Sequence, residues 1–226
     1  MTDAVRTSQS GGALGSDRAA GSGRTLQSGP SSVKTALERV RCGWATSAPE
    51  YVAYHDDEWG VPVHGDDRLF ERMCLEAFQA GLSWLTILRK RPAFREAFAG
   101  FQIVAVADFD ERDRERLMSD VRIVRNASKI DAAMTNAGLA RQLDGGLDAL
   151  LWSFAPGSAH QRPNQLSDVP AATIESTAMA RELKKRGFRF VGPTTAYALM
   201  QATGMVDDHI ASCWRAVKAG SDPLLV

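Results

Sequence analysis

Several common signals are missing from this 226-residue chain, and each absence excludes something. It has only three cysteines, Cys42, Cys74 and Cys213, too few and too scattered for a disulfide framework, so a reducing, cytoplasmic setting is expected. No stretch approaches the run of about 18 apolar residues needed to cross a bilayer, which excludes a helical membrane span and predicts a soluble protein. Net charge is also lacking: 27 Lys and Arg balance 27 Asp and Glu. A nucleic-acid surface, if present, must therefore be a local basic stripe. Strand-like alternation is almost absent, and Phe188–Val191 is too short to anchor a sheet. No internal repeat of solenoid period is present.

Residues 1–36 hold six Gly and seven Ser, with few and scattered apolar residues. Such a stretch cannot bury enough surface to offset its ordering entropy, and it has no contiguous apolar core of a secretory signal. It is expected to be a disordered tail. The tail carries a net charge of +2, leaving 23 basic and 25 acidic residues on 37–226.

Residues 37–226 read as one all-α domain. Apolar spacing at Leu69, Phe70, Met73, Cys74 and Ala77 predicts a helix over Asp67–Ala80, stopped by Gly81. Ser83 is expected to cap a helix ending at Leu88, and Pro92 to open a separate one closed by Gly100. Further helical windows cover Asp110–Ser119, Arg125–Leu143, Leu147–Phe154, Ala172–Arg186 and Thr194–Ala202.

Three groups of residues carry chemistry. Cys42-x12-His55 near the start and His209-x3-Cys213 near the end form a two-plus-two set suited to tetrahedral zinc, and a His and Cys four apart share a helix face. Cys-x12-His is not a standard short knuckle, so spacing alone favours ordinary small cysteines with surface or satisfied core histidines. A basic helix end, a glycine turn and a new helix follow one another through Lys184, Lys185, Arg186, Gly187, Arg189, Val191, Gly192 and Thr194. Free N–H groups and the positive end of a helix dipole make that a phosphate site, or else a solvated helix end. Trp44, Tyr51, Tyr54, Trp59 and Trp84 crowd into one stretch, as core or as a cage for a planar ligand. Glu76 falls at the border of its helix's apolar arc, either solvated or facing that cage.

The strings Arg41-Cys42-Gly43-Trp44, Tyr54-His55-Asp56-Asp57-Glu58-Trp59-Gly60-Val61-Pro62, Gln79-Ala80-Gly81-Leu82-Ser83-Trp84 and Lys184-Lys185-Arg186-Gly187-Phe188 resemble the Tag family, DNA-3-methyladenine glycosylase I, from about residue 40 to 215. The resemblance implies a divergent helix-hairpin-helix glycosylase that hydrolyses the bond between 3-methyladenine and deoxyribose in double-stranded DNA. It implies one structural Zn2+ on Cys42, His55, His209 and Cys213, tying the two ends of the domain together. Glu76 would be the catalytic pocket residue, and Tyr54, Trp84, Trp44 and Trp59 would bind the base. Lys184, Lys185, Arg189, Val191, Gly192 and Thr194 would meet the DNA backbone. A monofunctional, monomeric enzyme is expected. The alternatives are a non-catalytic helix-hairpin-helix module that binds DNA structures, and a zinc hydrolase, which four protein ligands would leave without an open coordination site. Phe190 departs from the superfamily hairpin, where a glycine is usual. Asp207 reads as a helix cap or a partner of the metal ligands rather than as a catalytic acid.

Overall fold

The computed structural model describes residues 39–157 and 160–216; the expected tail, 1–36, lies outside them. The described residues contain helices and turns and no strand. The α-helices are α1 (Pro49–Asp57), α2 (Asp66–Gln79), α3 (Trp84–Ala97), α4 (Ile103–Ala107), α5 (Glu111–Ser119), α6 (Ala127–Arg141), α7 (Gly146–Trp152), α8 (Ile174–Lys185) and α9 (Pro193–Ala202). None is long and apolar enough to cross a membrane.

The core is built around α2, in which eight of fourteen residues are buried. That exceeds one amphipathic stripe, so α2 is enclosed by several neighbours: α3, α6, α7 and α9 all pack on it. Cys74 belongs to this core, as its place on the apolar arc implies. Phe78 and Phe94 pack at 4.7 Å between ring centroids, and Phe98 stacks on Phe101 at 5.3 Å. Each such buried ring contributes roughly 1.5–3 kcal/mol. Gly81 stops α2 at φ +84°. The buried Lys129 of α6 donates from Nζ to the carbonyls of Phe78 (2.9 Å) and Ala80 (2.7 Å), satisfying two orphan acceptors of that helix end.

Two local expectations need correction. Ser83 does cap α3, accepting from the Thr86 N–H at 3.2 Å, but the helix runs through Pro92 to Ala97 as one element. An interior proline costs about 3 kcal/mol. Burial of Ile87 and Leu88 before it and of Phe94 and Ala97 after it offsets that. His209 and Cys213 do not share a helix; they lie on a turn where the Cys213 N–H donates to Ile210 O at 2.8 Å.

Candidate functional site

α1 places consecutive side chains on two sites. Tyr54 and His55 are its buried residues; Tyr54 lines a cavity, and His55 joins a cluster behind it. In that cluster Cys42, His55, His209 and Cys213 are all buried, with their ligand atoms within 4.8 Å of one another. Cys213 Sγ lies 3.4 Å from His55 Nε2 and 3.6 Å from His209 Nδ1, and Cys42 Sγ lies 3.7 Å from His209 Nδ1. The other ring nitrogens are committed outward: His55 Nδ1 to Asp56 at 2.8 Å, His209 Nε2 to the Trp59 carbonyl at 3.2 Å. Such outer partners fix tautomer and ring plane, the usual arrangement around a metal-binding imidazole. Arg41 (2.7 Å) and the Trp214 indole (3.2 Å) hold Asp56 in turn. Burial and the neighbouring His55 hold His209 down at about 4, so its imidazole is neutral and able to ligate. Burial pushes the Cys42 thiol up to about 12, with Cys213 adding to the rise, so two adjacent thiolates need a cation between them. The cluster is a candidate metal site, and the structure brings together the four residues that the sequence singled out.

Close backbone approach shapes this region. A Cβ at Gly60 (φ +75°) would stand 3.2 Å from His209 Nε2, and one at Gly204 (φ +70°) would meet Pro62 N at 2.6 Å. Gly204 therefore admits no side chain, and the end of α9 lies directly on the 60–62 segment.

The cavity in front measures about 600 Å³. One wall is aromatic: Trp44, Tyr51, Tyr54, Trp59 and Trp84 all line it. Trp44 packs on Trp59 at 5.1 Å and Tyr54 on Trp84 at 5.4 Å between centroids. Trp59 in turn meets His209 edge-on at 4.7 Å, so the ligand cluster backs the cage. Trp84 Nε1 is sealed from solvent and has no hydrogen-bond partner among the described residues. Burial, with the Glu76 charge next, raises the Tyr54 phenol, so it stays protonated.

Glu76 sits inside this cavity rather than at a solvated border. Burial of eight residues carries the covered surface of α2 past the apolar arc, so a border position on the helical wheel is enclosed. Burial pushes its carboxyl up to about 8, against the pull of Arg72 one turn earlier. No donor among the described residues bonds it. Among the polar lining residues, Gln201 and Asp208 had no signal in the sequence, and Gln79 stood only within a string of the resemblance.

Away from the cavity, α8 and α9 pack side by side through the turn 186–192. Lys184, Lys185, Arg186 and Arg189 are exposed, and Val191 is buried. Gly192 precedes α9 without a side-chain cap, and Pro193 opens it. Phe190 takes φ +57°, so the backbone holds the left-handed shape that glycine usually serves. Buried Asn136 of α6 clamps the turn, donating to Arg189 O at 3.1 Å and accepting from Arg189 N–H at 2.9 Å.

Comparison with known proteins agrees with this layout. The family profile described as methyladenine glycosylase matches residues 44–216. DNA-3-methyladenine glycosylase 1 of Escherichia coli K12 is 45% identical over 180 residues, 76% of this chain and 95% of that protein. A crystal structure of 3-methyladenine DNA glycosylase I superposes with a TM-score of 0.76 at 42% identity, covering 79% of this chain and 100% of the other. The Staphylococcus aureus 3-methyladenine DNA glycosylase I, solved for the structural basis of 3-methyladenine recognition, gives a TM-score of 0.74 at 35% identity over 79% of this chain and 97% of its own. The chain belongs to the methyladenine glycosylase family.

Proposed function

We propose that this protein is a monofunctional DNA glycosylase that hydrolyses the N-glycosidic bond of 3-methyladenine in double-stranded alkylated DNA, acting as a cytoplasmic monomer within one domain spanning 37–226. The observation that carries the reading is a buried carboxyl, Glu76, inside an aromatic cavity large enough for a purine. A module that only binds DNA structures has no use for either feature.

Alkylation at N3 gives adenine in DNA a formal positive charge, so the base departs neutral and needs little acid catalysis. The work left is extrusion, costing a few kcal/mol, and recognition of the extruded base. Glu76 supplies the discrimination. Its carboxyl, near 8 in the empty cavity, is costly to ionise there. A cationic base beside it offsets that cost, because an opposite charge at close range favours the carboxylate. Undamaged adenine brings no charge and leaves the cost uncompensated. Tyr54, Trp84, Trp44 and Trp59 provide stacking faces, at about 1–3 kcal/mol per base–aromatic contact.

Backbone binding falls to α8, the 186–192 turn and α9, read as a helix-hairpin-helix. The Thr194 and Thr195 N–H groups belong to the first turn of α9 and have no acceptor within it. With Gly192 and Val191 they form the phosphate seat, and Lys184, Lys185 and Arg189 supply positive charge. The left-handed Phe190 supports this reading.

Cys42, His55, His209 and Cys213 would hold one zinc ion. Tetrahedral bonds of about 2.3 Å to sulfur and about 2.05 Å to nitrogen require S···N edges of about 3.5 Å. Three of the four S···N separations here run from 3.4 to 3.7 Å. Four protein ligands fill the shell, so the ion would supply a cross-link and no activated water.

Incubation with methylated duplex DNA and chromatography of the released bases tests the proposal. Free 3-methyladenine with an intact abasic strand is expected. DNA binding without base release would refute it.

A further inference from the structure

Asp208 is a buried carboxylate that the chemistry above does not use. It follows α9 and borders the same cavity as Glu76. Its Oδ2 accepts from the Tyr197 hydroxyl at 2.6 Å and from Gln201 Nε2 at 2.6 Å, and its Oδ1 lies 2.8 Å from His160 Nε2. Tyr197 and Gln201 thus both meet one oxygen of Asp208.

That contact settles the orientation of an amide. A carboxylate oxygen accepts only, so the Gln201 atom facing it must be the NH2 group. The amide oxygen is then the group Gln201 has left to offer. Gln201 lines the cavity, and no donor among the described residues meets its Oε1. Its main chain is fixed as well, since the Gly60 N–H donates to the Gln201 carbonyl at 3.1 Å. Glu76 of α2 and Gln201 of α9 line the same cavity from helices that pack on each other, so a base between them would meet two acceptors.

We propose that Gln201, locked by Asp208, is a specificity-determining residue that selects 6-aminopurines over 6-oxopurines. This rests on the glycosylase reading and deepens it. A 6-amino group brings two N–H donors to acceptors that cannot turn away. A 6-oxo group brings an oxygen against the Gln201 oxygen, and an unpaired buried acceptor on both sides is what a polar site uses to reject an analogue. Gln201 unrestrained would simply flip and present its NH2 group to such a base. Asp208 prevents the flip and acts as a positioning residue.

The test uses one methylated duplex containing both 3-methyladenine and 3-methylguanine. Release of each base is followed under single-turnover conditions for the wild type, Gln201→Leu and Asp208→Asn. Gln201→Leu should slow 3-methyladenine release about tenfold, the effect of one lost acceptor, and leave 3-methylguanine no slower. Asp208→Asn offers its own NH2 group to the Gln201 oxygen, so the amide can turn and 3-methylguanine release should rise. In both variants the ratio of the two rates should fall by about tenfold or more. A uniform loss of both rates, or an unchanged ratio, overturns the proposal, because damage to the fold or to the neighbouring His209 cluster would not distinguish the two bases. If Asp208→Asn fails to fold, Gln201→Leu alone decides the matter. A wild type that releases neither base refutes the glycosylase reading itself, a result separable from an unchanged ratio.

Discussion

Replacing Glu76 by Gln should make the protein more stable and less active, and the two effects have separate pH signatures. The folded carboxyl titrates at about 8 because it is buried, against an ordinary 4.5. Between those values the native state holds a proton that the unfolded chain has released. Stability from this group is therefore complete below about pH 4.5 and is lost as pH rises through 8. At about 1.4 kcal/mol per pH unit, the loss is of order 3–5 kcal/mol by pH 8. A glutamine amide has no charge to desolvate, so Glu76→Gln should escape that loss and differ little from the wild type at pH 5. Urea unfolding of both proteins at pH 5 and pH 8 measures the difference, since every other titrating group is common to both. Base release should move the other way. Losing a charged hydrogen-bond partner costs about 1.5–3 kcal/mol. Single-turnover release of 3-methyladenine should then fall about tenfold to a hundredfold. Identical pH dependence of stability in the two proteins would refute the burial argument, and wild-type release by the variant would refute the pocket assignment.

Cys213→Ala should lose the proposed zinc and several kcal/mol of stability, lowering the melting temperature by about 10 °C or more; metal analysis beside a thermal melt checks this, and an unchanged melt would count against it. Lys185→Ala should reduce the slope of log K against log salt by about one and leave turnover of saturated enzyme within about twofold, read from binding titrations at several salt concentrations. Deleting residues 1–36 should leave folding and base release intact, with a modest loss of DNA affinity at low salt, since the segment carries a net charge of +2; failure to fold would overturn the reading of that segment as a tail.

Legibility in the sequence followed the physics of each element. The helices carrying a clear apolar stripe appeared within a residue or two of their observed ends, and Gly81 and Ser83 act as the stop and cap that their chemistry implies. Two helices gave no signal. The buried residues of α1 are Tyr54 and His55, which face the cavity and the ligand cluster, so no apolar period marks that helix. Ile103–Ala107 is a run of five residues, three of them β-branched, that becomes helical by packing on α6. The Cys/His cluster was legible in kind but not in geometry: residue types suggested a zinc site, whereas the pairing of Cys42 with His209 across 167 positions is a tertiary fact. Gln201 and Asp208 left no trace, because a helix-end glutamine and an aspartate beside a ligand histidine have ordinary local explanations. Phe190 shows the converse, a residue that departs from the expected glycine while the backbone keeps the left-handed shape.

The ligand cluster and the cavity are mechanically one unit. A nine-residue helix with two buried side chains cannot hold itself, since isolated helices shorter than about 12 residues are marginal in water. α1 is fixed because His55 meets Cys213 behind it while Tyr54 meets Trp84 in front. His209 extends the same linkage: its ring lies 4.7 Å from both Trp59 and His55, and its Nε2 faces the Trp59 carbonyl. The residue before it, Asp208, carries the polar wall through Tyr197 and Gln201. The proposed zinc, by joining the segment holding Cys42 and His55 to the segment holding His209 and Cys213, would position the aromatic wall from one side and the acceptor wall from the other. Such a metal, taking no part in bond cleavage, would set the spacing between the faces proposed to grip a flat base.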